Sequence, residues 1–117
     1  MSVTEGNAMS KPTELVQGTL DMLILKTLEL EPMHGWAIAH RIRQMSNEVL
    51  QVGQSALYPA LHKLEQQGSI KAEWKISENK RRAKYYSLTG AGRRALAKEA
   101  EQWERLSNAI STIVGTA

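Results

Sequence analysis

The chain has 117 residues, which predicts one domain with a small hydrophobic core. Its 42% hydrophobic and 23% charged residues are typical of a globular protein, and the absence of cysteine excludes disulfides and thiol chemistry. The formal net charge is only +3, but the segment Lys71 to Lys84 carries six Lys or Arg against two Glu, a local net charge of +4. The positive charge is therefore concentrated in one short segment.

Membrane and export signals are missing from the sequence as given. No apolar run reaches the length that spans a bilayer, and the N-terminus lacks a basic segment followed by an apolar one. We therefore expect a soluble, cytoplasmic protein without a membrane partner.

The first part of the chain predicts a mobile tail over residues 1–13, because these residues are small, polar and aperiodic. A helix is predicted from Glu14 to Leu30, because Pro32 prevents its continuation. Its apolar surface is wide enough to be buried on more than one side. The apolar positions at helical spacing are Leu20, Leu23, Ile24 and Leu28, flanked by Met22 and Leu25.

A second helix is predicted from about Trp36 to Ser46, after a turn over residues 32–35. Ile38, Ile42 and Met45 repeat at helical spacing there. Residues 49–52 begin and end with valine, and we expect them to form a single short strand.

A third, short helix is predicted from Ser55, which is a preferred N-cap residue, with Pro59 in its first turn. Its apolar stripe consists of Leu57, Leu61 and Leu64. Gly68 supplies a left-handed stop. The opposite face carries Ser55, Tyr58, His62, Lys63 and Gln66. Such a face is either solvated or offered to a nucleic-acid groove.

A β-hairpin is predicted after Gly68. Ile70, Ala72, Trp74 and Ile76 alternate with charged residues, which predicts a strand with one buried face. Residues 77–82 form a charged tip, and residues 83–88 form the second strand. Thr89 is a good N-cap for a last helix that runs to about Val114.

The order helix, helix, short strand, helix and hairpin predicts an α+β, mainly α, winged helix-turn-helix fold, with an added C-terminal helix. We assign residues 14–88 to a DNA-binding domain and residues 89–117 to a dimerisation helix.

The hairpin tip is the strongest chemical signal. Lys and Arg bind nucleic acid by neutralising phosphates and releasing counterions, so a basic hairpin beside a polar helix face favours DNA contact over simple solvation. The predicted DNA-binding residues are Ser55, Tyr58, His62 and Lys63 on the third helix, and Lys80, Arg81, Arg82 and Lys84 on the hairpin. For Tyr58 the alternative is partial burial against the hairpin, and for His62 it is a plain surface position.

Catalytic and metal motifs are missing. His34, His40 and His62 do not have metal-ligand spacing and no cysteine assists them. There is no glycine-rich phosphate loop, nucleophile elbow or acidic pair with a shared cleft. We expect no catalytic residue, no metal and no cofactor, and hence no enzyme.

The last helix carries two heptad series three residues apart, the spacing of a coiled-coil seam. They consist of Leu96, Trp103 and Ile110, and of Leu106 and Ile113. Packing against its own domain is one interpretation. Because the helix follows an already complete small fold, dimerisation through these residues is the better one.

Three segments resemble the PadR family of bacterial transcriptional regulators. The first is QGTLDMLILKTLELEPMHGWAIA (residues 17–39), which resembles the family's first helix and the turn after it. The second is SALYPALHKLEQQGSI (residues 55–70), which resembles its recognition helix through Leu-Tyr-Pro and Leu-Glu-x-x-Gly. The third is AKYYSLTGAGRRAL (residues 83–96), which resembles its Tyr-Tyr-x-Leu-Thr wing strand and the start of the following helix.

The resemblance implies a dimeric transcriptional regulator that binds double-stranded DNA. Such a regulator is usually a repressor, and a small molecule relieves the repression. The single terminal helix is similar to the family's shorter branch. Two departures are a hairpin tip, residues 78–80, without the usual glycine, and Trp36 where tyrosine is more usual.

A ligand position can also be predicted. Trp103 lies on the seam, where two-fold symmetry would bring its partner copy nearby and form a slot for a planar aromatic effector. The alternative is that the two indoles only pack the interface. For the whole chain, a winged-helix module that binds protein and not DNA is the alternative function.

Overall fold

The computed structural model describes residues 12–116, with side chains described from residue 19 onward. In chain order these residues form α1 (Pro12–Leu30), β1 (Met33–His34), α2 (Gly35–Met45), α3 (Gln54–Gln66), β2 (Ile70–Ile76), β3 (Arg82–Leu88) and α4 (Gly90–Val114). None of the helices in this range is long and apolar enough to cross a membrane. The tail predicted for residues 1–13 lies outside the described residues up to position 11, and its last two residues already belong to α1.

The three strands form one antiparallel sheet in the order β1-β3-β2. β2 and β3 make the predicted hairpin, in which Ile70 pairs with Leu88 at the base and Ile76 pairs with Arg82 near the tip. Three helices, a hairpin and a long last helix confirm the mainly helical winged helix-turn-helix fold. We call the part of the hairpin beyond the core, residues 73–85, the wing.

The strand predicted for residues 49–52 does not form, and that prediction was wrong. Asn47 and Glu48 have φ values of 54° and 71°, so the chain leaves α2 through two left-handed residues and then runs without strand pairing to α3. The third strand is instead β1, in the segment expected to be a turn, where Met33 pairs with Tyr86. A strand of two residues is too short to show an alternating pattern. It forms because β3 pairs with it.

The hydrophobic core lies where α1, α2, α3, the base of the hairpin and the start of α4 meet. Its apolar members are Leu20, Ile24, Leu25, Leu28, Met33, Ile38, Ile42, Leu57, Leu61, Leu64, Ile70, Tyr86 and Leu96. α1 contributes from several sides of its surface, as its wide apolar pattern predicts. Burying each large side chain contributes roughly 1.5–3 kcal/mol.

The start of α3 differs from the prediction. Its N-cap is Gly53, which offers no side-chain hydrogen bond, and Ser55 lies one residue inside the first turn. Pro59 therefore falls in the second turn, where its ring nitrogen has no hydrogen to donate to the carbonyl of Ser55. The prediction of Ser55 as the cap was wrong, and the error arose because serine is also tolerated just inside a helix.

Two predicted capping residues are confirmed at the ends of the helices. Gly68 has φ of +79°, and the N–H of Ser69 donates to the carbonyl of Leu64 at 3.0 Å, which closes α3 in a Schellman motif. Thr89 caps α4, because its hydroxyl accepts from the N–H of Gly92 at 3.0 Å. The Thr89 hydroxyl also lies 2.6 Å from the Gly68 carbonyl oxygen and 3.0 Å from that of Ser69, so it can donate to either. The C-terminal end of α3 and the N-terminal end of α4 are thereby held together.

Candidate nucleic-acid interface

The exposed face of α3 lies opposite its three buried leucines. Ser55, Pro59, His62 and Gln66 are all exposed and follow one another at the spacing of a single helical face. Pro59 stands in the middle of this face. Sequence analysis singled out its neighbours for their hydrogen-bonding groups and overlooked the proline itself.

Tyr58 borders this face on the side of α2 and the wing. Its ring lies against Gly35, the first residue of α2, where an added Cβ would come within 2.8 Å of the tyrosine oxygen. Tyr58 remains 45% exposed, so its hydroxyl and ring edge are still accessible. Its ring thus lies against α2, whereas the alternative to DNA contact was partial burial against the hairpin.

Lys63 borders the α3 face on the opposite side. Its ammonium group lies 2.6 Å from the carboxylate of Asp21 on α1, and its side chain remains 53% exposed. Exposed ion pairs of this kind contribute little to stability, about 0–1 kcal/mol. Lys63 can therefore leave Asp21 for a phosphate at small cost.

Lys84 is placed differently from the other predicted hairpin cations. It lies 3.3 Å from the carboxylate of Glu65 on α3, and its ammonium nitrogen lies 5.6 Å from the centre of the Tyr86 ring. Lys84 thus connects the wing to α3 through this ion pair.

The tip of the wing is a five-residue loop, residues 77–81. The N–H of Lys80 donates to the carbonyl of Ser77, and the N–H of Ser77 donates to the carbonyl of Arg81. Lys80 has φ of +60°, so it takes the left-handed position that a glycine usually fills. Among the described residues, neither Lys80, Arg81 nor Arg82 makes an ion pair with a carboxylate. These three cations are exposed and available to an anionic partner.

The alternating pattern predicts that one face of the hairpin is buried along its whole length. In the structure that face is buried only at the base of the hairpin. Ile70 is buried and Ala72 half-buried at the base, but Trp74 is 57% exposed and Ile76 is 65% exposed. The guanidinium carbon of Arg82 lies 4.9 Å from the centre of the Trp74 ring, a cation–π contact. The prediction failed here because the hairpin extends beyond the core that covers its base.

Two grooves flank Trp36 and Tyr58. The larger, of about 820 Å³, lies between the wing, β1 and the first turn of α2, and Trp74, Arg81 and Arg82 also line it. The smaller, of about 500 Å³, lies between α2 and the start of α3, and both polar and apolar residues line it. Trp36 is 64% exposed and stacks on His40, with ring centres 4.8 Å apart and planes within 10°.

Sequence analysis did not assign Trp36, His40 and Trp74 to the interface. The sequence signal that could have found Trp74 is a large aromatic residue placed beyond the core in a hairpin rich in Lys and Arg. No group of His, Cys, Asp and Glu in residues 12–116 is arranged to hold a metal ion.

Comparison with known proteins identifies the family. The model of the transcriptional regulator PadR-like family matches residues 24–98, well over half of the chain. The chain belongs to the PadR-like family. The match spans α3 and the whole wing, and DNA-binding transcriptional regulation is therefore the function of this PadR-like chain. The family consists of regulators and not of enzymes.

Solved structures have the same fold as this PadR-like chain. A transcriptional regulator from Clostridium thermocellum is 30% identical, with a TM-score of 0.79, over 86% of this chain and 98% of the other. A PadR family transcriptional regulator from Eggerthella lenta is 29% identical, with a TM-score of 0.76, over 97% of this chain and 94% of the other. An uncharacterised protein from Lysinibacillus sphaericus is 24% identical over 84% of this chain and 90% of its own length.

Proposed function

We propose that this PadR-like regulator is a homodimeric repressor that binds a roughly palindromic operator in the cytoplasm and is relieved by a small planar aromatic ligand. The observation that carries the proposal is the exposed apolar seam on α4. Beyond Leu96, nearly every residue of α4 is exposed in the single chain, including large apolar ones.

The seam consists of Trp103, Leu106, Ile110 and Ile113, which are 45%, 54%, 49% and 73% exposed. Their steps of three, four and three residues place them on one side of the helix. Four large apolar residues in one exposed row indicate an interaction surface. An antiparallel or crossed pairing of two α4 helices would cover them. Leu96 must be removed from the predicted seam, because it is only 6% exposed and packs in the core of its own domain.

DNA contact is assigned to α3 and the wing. We propose that Ser55, Tyr58, His62 and Lys63 lie at the major groove, where α3 presents its exposed face. We propose that Lys80, Arg81, Arg82 and Lys84 hold flanking phosphates. Lys80, Arg81 and Arg82 are free of carboxylate partners among the described residues, so they need no rearrangement. Lys63 and Lys84 must first leave Asp21 and Glu65.

A mobility-shift assay with a random-sequence duplex at low salt tests DNA binding. The regulator should bind without sequence preference, and its affinity should fall steeply as salt rises, because phosphate contacts release counterions. Absence of binding at low salt would support the other function, a winged-helix module for protein partners. Selection of bound fragments from genomic DNA should then yield sites with two-fold symmetry and half-sites about one DNA turn apart, ~34–36 Å.

The ligand site is assigned to Trp103. In a symmetric pairing of α4 helices its indole would approach that of the partner and form an apolar slot with flat walls. A ligand there would change the angle between subunits and thereby the separation of the two α3 helices.

Titration with planar aromatic cations, followed by tryptophan fluorescence, tests this assignment. Quenching should disappear in Trp103→Ala, in which Trp36 and Trp74 are still present. Unchanged quenching in that variant would place the ligand elsewhere.

A further inference from the structure

The outer half of the wing exposes an apolar surface that the core does not cover. The register pairs Trp74 with Lys84 and Ile76 with Arg82, so all four side chains lie on the same face of the hairpin as the buried Tyr86. This face therefore changes from core at its base to exposed Trp74, Ile76 and Arg82 toward its tip.

The surface faces a groove whose opposite wall belongs to the DNA-reading part of the fold. Tyr58 of α3 and the first turn of α2 line the same 820 Å³ groove as Trp74 and Arg82. Tyr58 also lines the smaller groove beside the start of α3. Tyr58, which borders the exposed face of α3, thus connects that side of α3 to the groove at the wing.

The chemistry of this groove matches one strand of a DNA duplex. A DNA strand alternates apolar deoxyribose with anionic phosphate, so it requires an apolar surface beside a cation. Arg82 lies over the Trp74 ring, and such a contact leaves the N–H groups at the guanidinium edge free for a phosphate. The lining contains Arg81, Arg82 and Lys84 against Glu31 and Glu78.

We infer that Trp74 and Ile76 contact the deoxyribose of the DNA strand that passes between α3 and the wing, while Arg82 contacts the adjoining phosphate. This inference rests on the proposed DNA binding and adds an apolar contribution to it. The wing then contributes affinity in two ways, one that depends on salt through Arg82 and one that does not, through Trp74.

The test measures binding of a random-sequence duplex over a range of salt concentrations for three variants. Trp74→Ala should weaken binding about tenfold at every salt concentration, as expected when roughly 60 Å² of apolar surface is no longer removed from water. The slope of log affinity against log salt should stay unchanged. Arg82→Ala should instead flatten that slope by about 0.9, the value for one phosphate.

Met45→Ala is the matched control. Met45 is also a large exposed apolar residue, at 54%, but it lies at the end of α2 and lines neither groove. Its binding should equal that of the unaltered chain. A fourth variant, Trp74→Tyr, keeps a ring at the position and should recover most of the lost affinity. Thermal melting of each variant confirms that the hairpin is still folded.

Three outcomes would overturn the inference. The first is unchanged binding by Trp74→Ala while the unaltered chain binds normally, which leaves the proposed function intact. The second is a flattened salt slope in Trp74→Ala equal to that of Arg82→Ala, because Trp74 would then act only by positioning the arginine. The third is a loss of dimer in Trp74→Ala on sedimentation, which would assign the surface to a second copy. If the unaltered chain binds no duplex at all, both proposals fail together.

Discussion

Gly92, in the first turn of α4, lies directly against the backbone of Ser69 at the turn from α3 into β2. A Cβ at this position would overlap the Ser69 carbonyl oxygen and come within 2.7 Å of the Leu88 side chain. The glycine is required here for the close approach and not for an unusual backbone conformation, because its φ is not positive. It allows the Thr89 cap and the Schellman turn to meet.

We expect Gly92→Ala to destabilise the domain by about 1–3 kcal/mol, the usual cost of forced overpacking. Gly90→Ala is the matched control, since a new Cβ at Gly90 would come no closer than 3.8 Å to the flexible end of the Arg94 side chain. That change should be neutral or stabilise by roughly 0.5–1 kcal/mol, because alanine is the better helix former. Urea unfolding measures both. Equal effects of the two changes would show that helix propensity and not packing decides at this turn.

Tyr86 lies at the base of the wing, and its ring is buried in the core. Burial raises the pKa of the Tyr86 hydroxyl above its ordinary value of 10.0. The folded state thus favours the neutral hydroxyl. The stability that follows is fully present below about pH 10, the pKa of tyrosine in the unfolded chain, and is lost as the pH rises toward the higher folded value.

Tyr86→Phe should therefore change the pH dependence of stability. The difference in unfolding free energy between the unaltered chain and this variant should be constant from about pH 7 to pH 9 and then shift in favour of the variant. Parallel profiles for the unaltered chain and Tyr86→Phe would mean that the hydroxyl ionises as easily in the folded as in the unfolded state.

The long elements could be predicted from the sequence because their patterns repeat. α1, α2 and α4 begin and end within two residues of the predicted positions, since each carries several turns of apolar periodicity and a clear stop or cap. The leucine stripe of α3 and the hairpin were also predicted correctly. In the candidate interface, the basic tip was found because its charge is local in sequence.

Features that depend on a distant partner could not be predicted. β1 exists because Met33 meets Tyr86, which lies 53 positions away in sequence. The ion pairs of Lys63 and Lys84 likewise join different elements. The exposure of Trp74 was missed for a related reason: an alternating pattern shows which residues share a face, but it does not show how far the core extends beneath that face.

The wing is expected to supply affinity without sequence preference. Replacing Arg81 and Arg82 together by Ala should weaken binding to a selected operator and to random DNA alike. The salt slope should flatten by about one unit for each lost phosphate contact. Competition shift assays with both duplexes measure this. A loss confined to the operator would show that the wing reads bases.

Changes on α3 should behave in the opposite way. His62→Ala should lower the preference for the operator over random DNA by roughly 1–3 kcal/mol if the imidazole contacts a base edge. His62 is exposed on the outer face of α3, so its replacement leaves the core intact. Comparing the wing variant with the α3 variant therefore distinguishes residues that hold the DNA backbone from residues that recognise bases.

At the scale of the whole molecule, the decisive question is what covers α4. The residues of α4 that belong to the core, Gly92 and Leu96, lie in its first two turns, and the remaining turns extend past the domain. A stable interface usually buries about 1,200–2,000 Å² in total. Two copies of a helix that exposes Trp103, Leu106 and Ile110 along several turns can provide the apolar centre of such an interface.

We expect Ile110→Glu to convert the proposed homodimer into a folded monomer. Each copy of the glutamate would place a charge in the middle of the seam, where no basic residue of the seam can pair with it, and burying an unpaired charge costs several kcal/mol. Ser111→Glu introduces the same side chain one residue away, off the seam, and should leave the dimer intact. Sedimentation at micromolar concentration distinguishes monomer from dimer, and circular dichroism confirms the fold.

The same pair of variants links assembly to DNA binding. A monomer presents one α3 and one wing, so Ile110→Glu should bind a two-half-site operator with no more affinity than a single half-site, because the second contact is no longer intramolecular. Ser111→Glu should keep the full preference for the paired site. If Ile110→Glu still sediments as a dimer and still prefers the paired site, the subunits associate through another surface, and the exposed row on α4 requires a different partner.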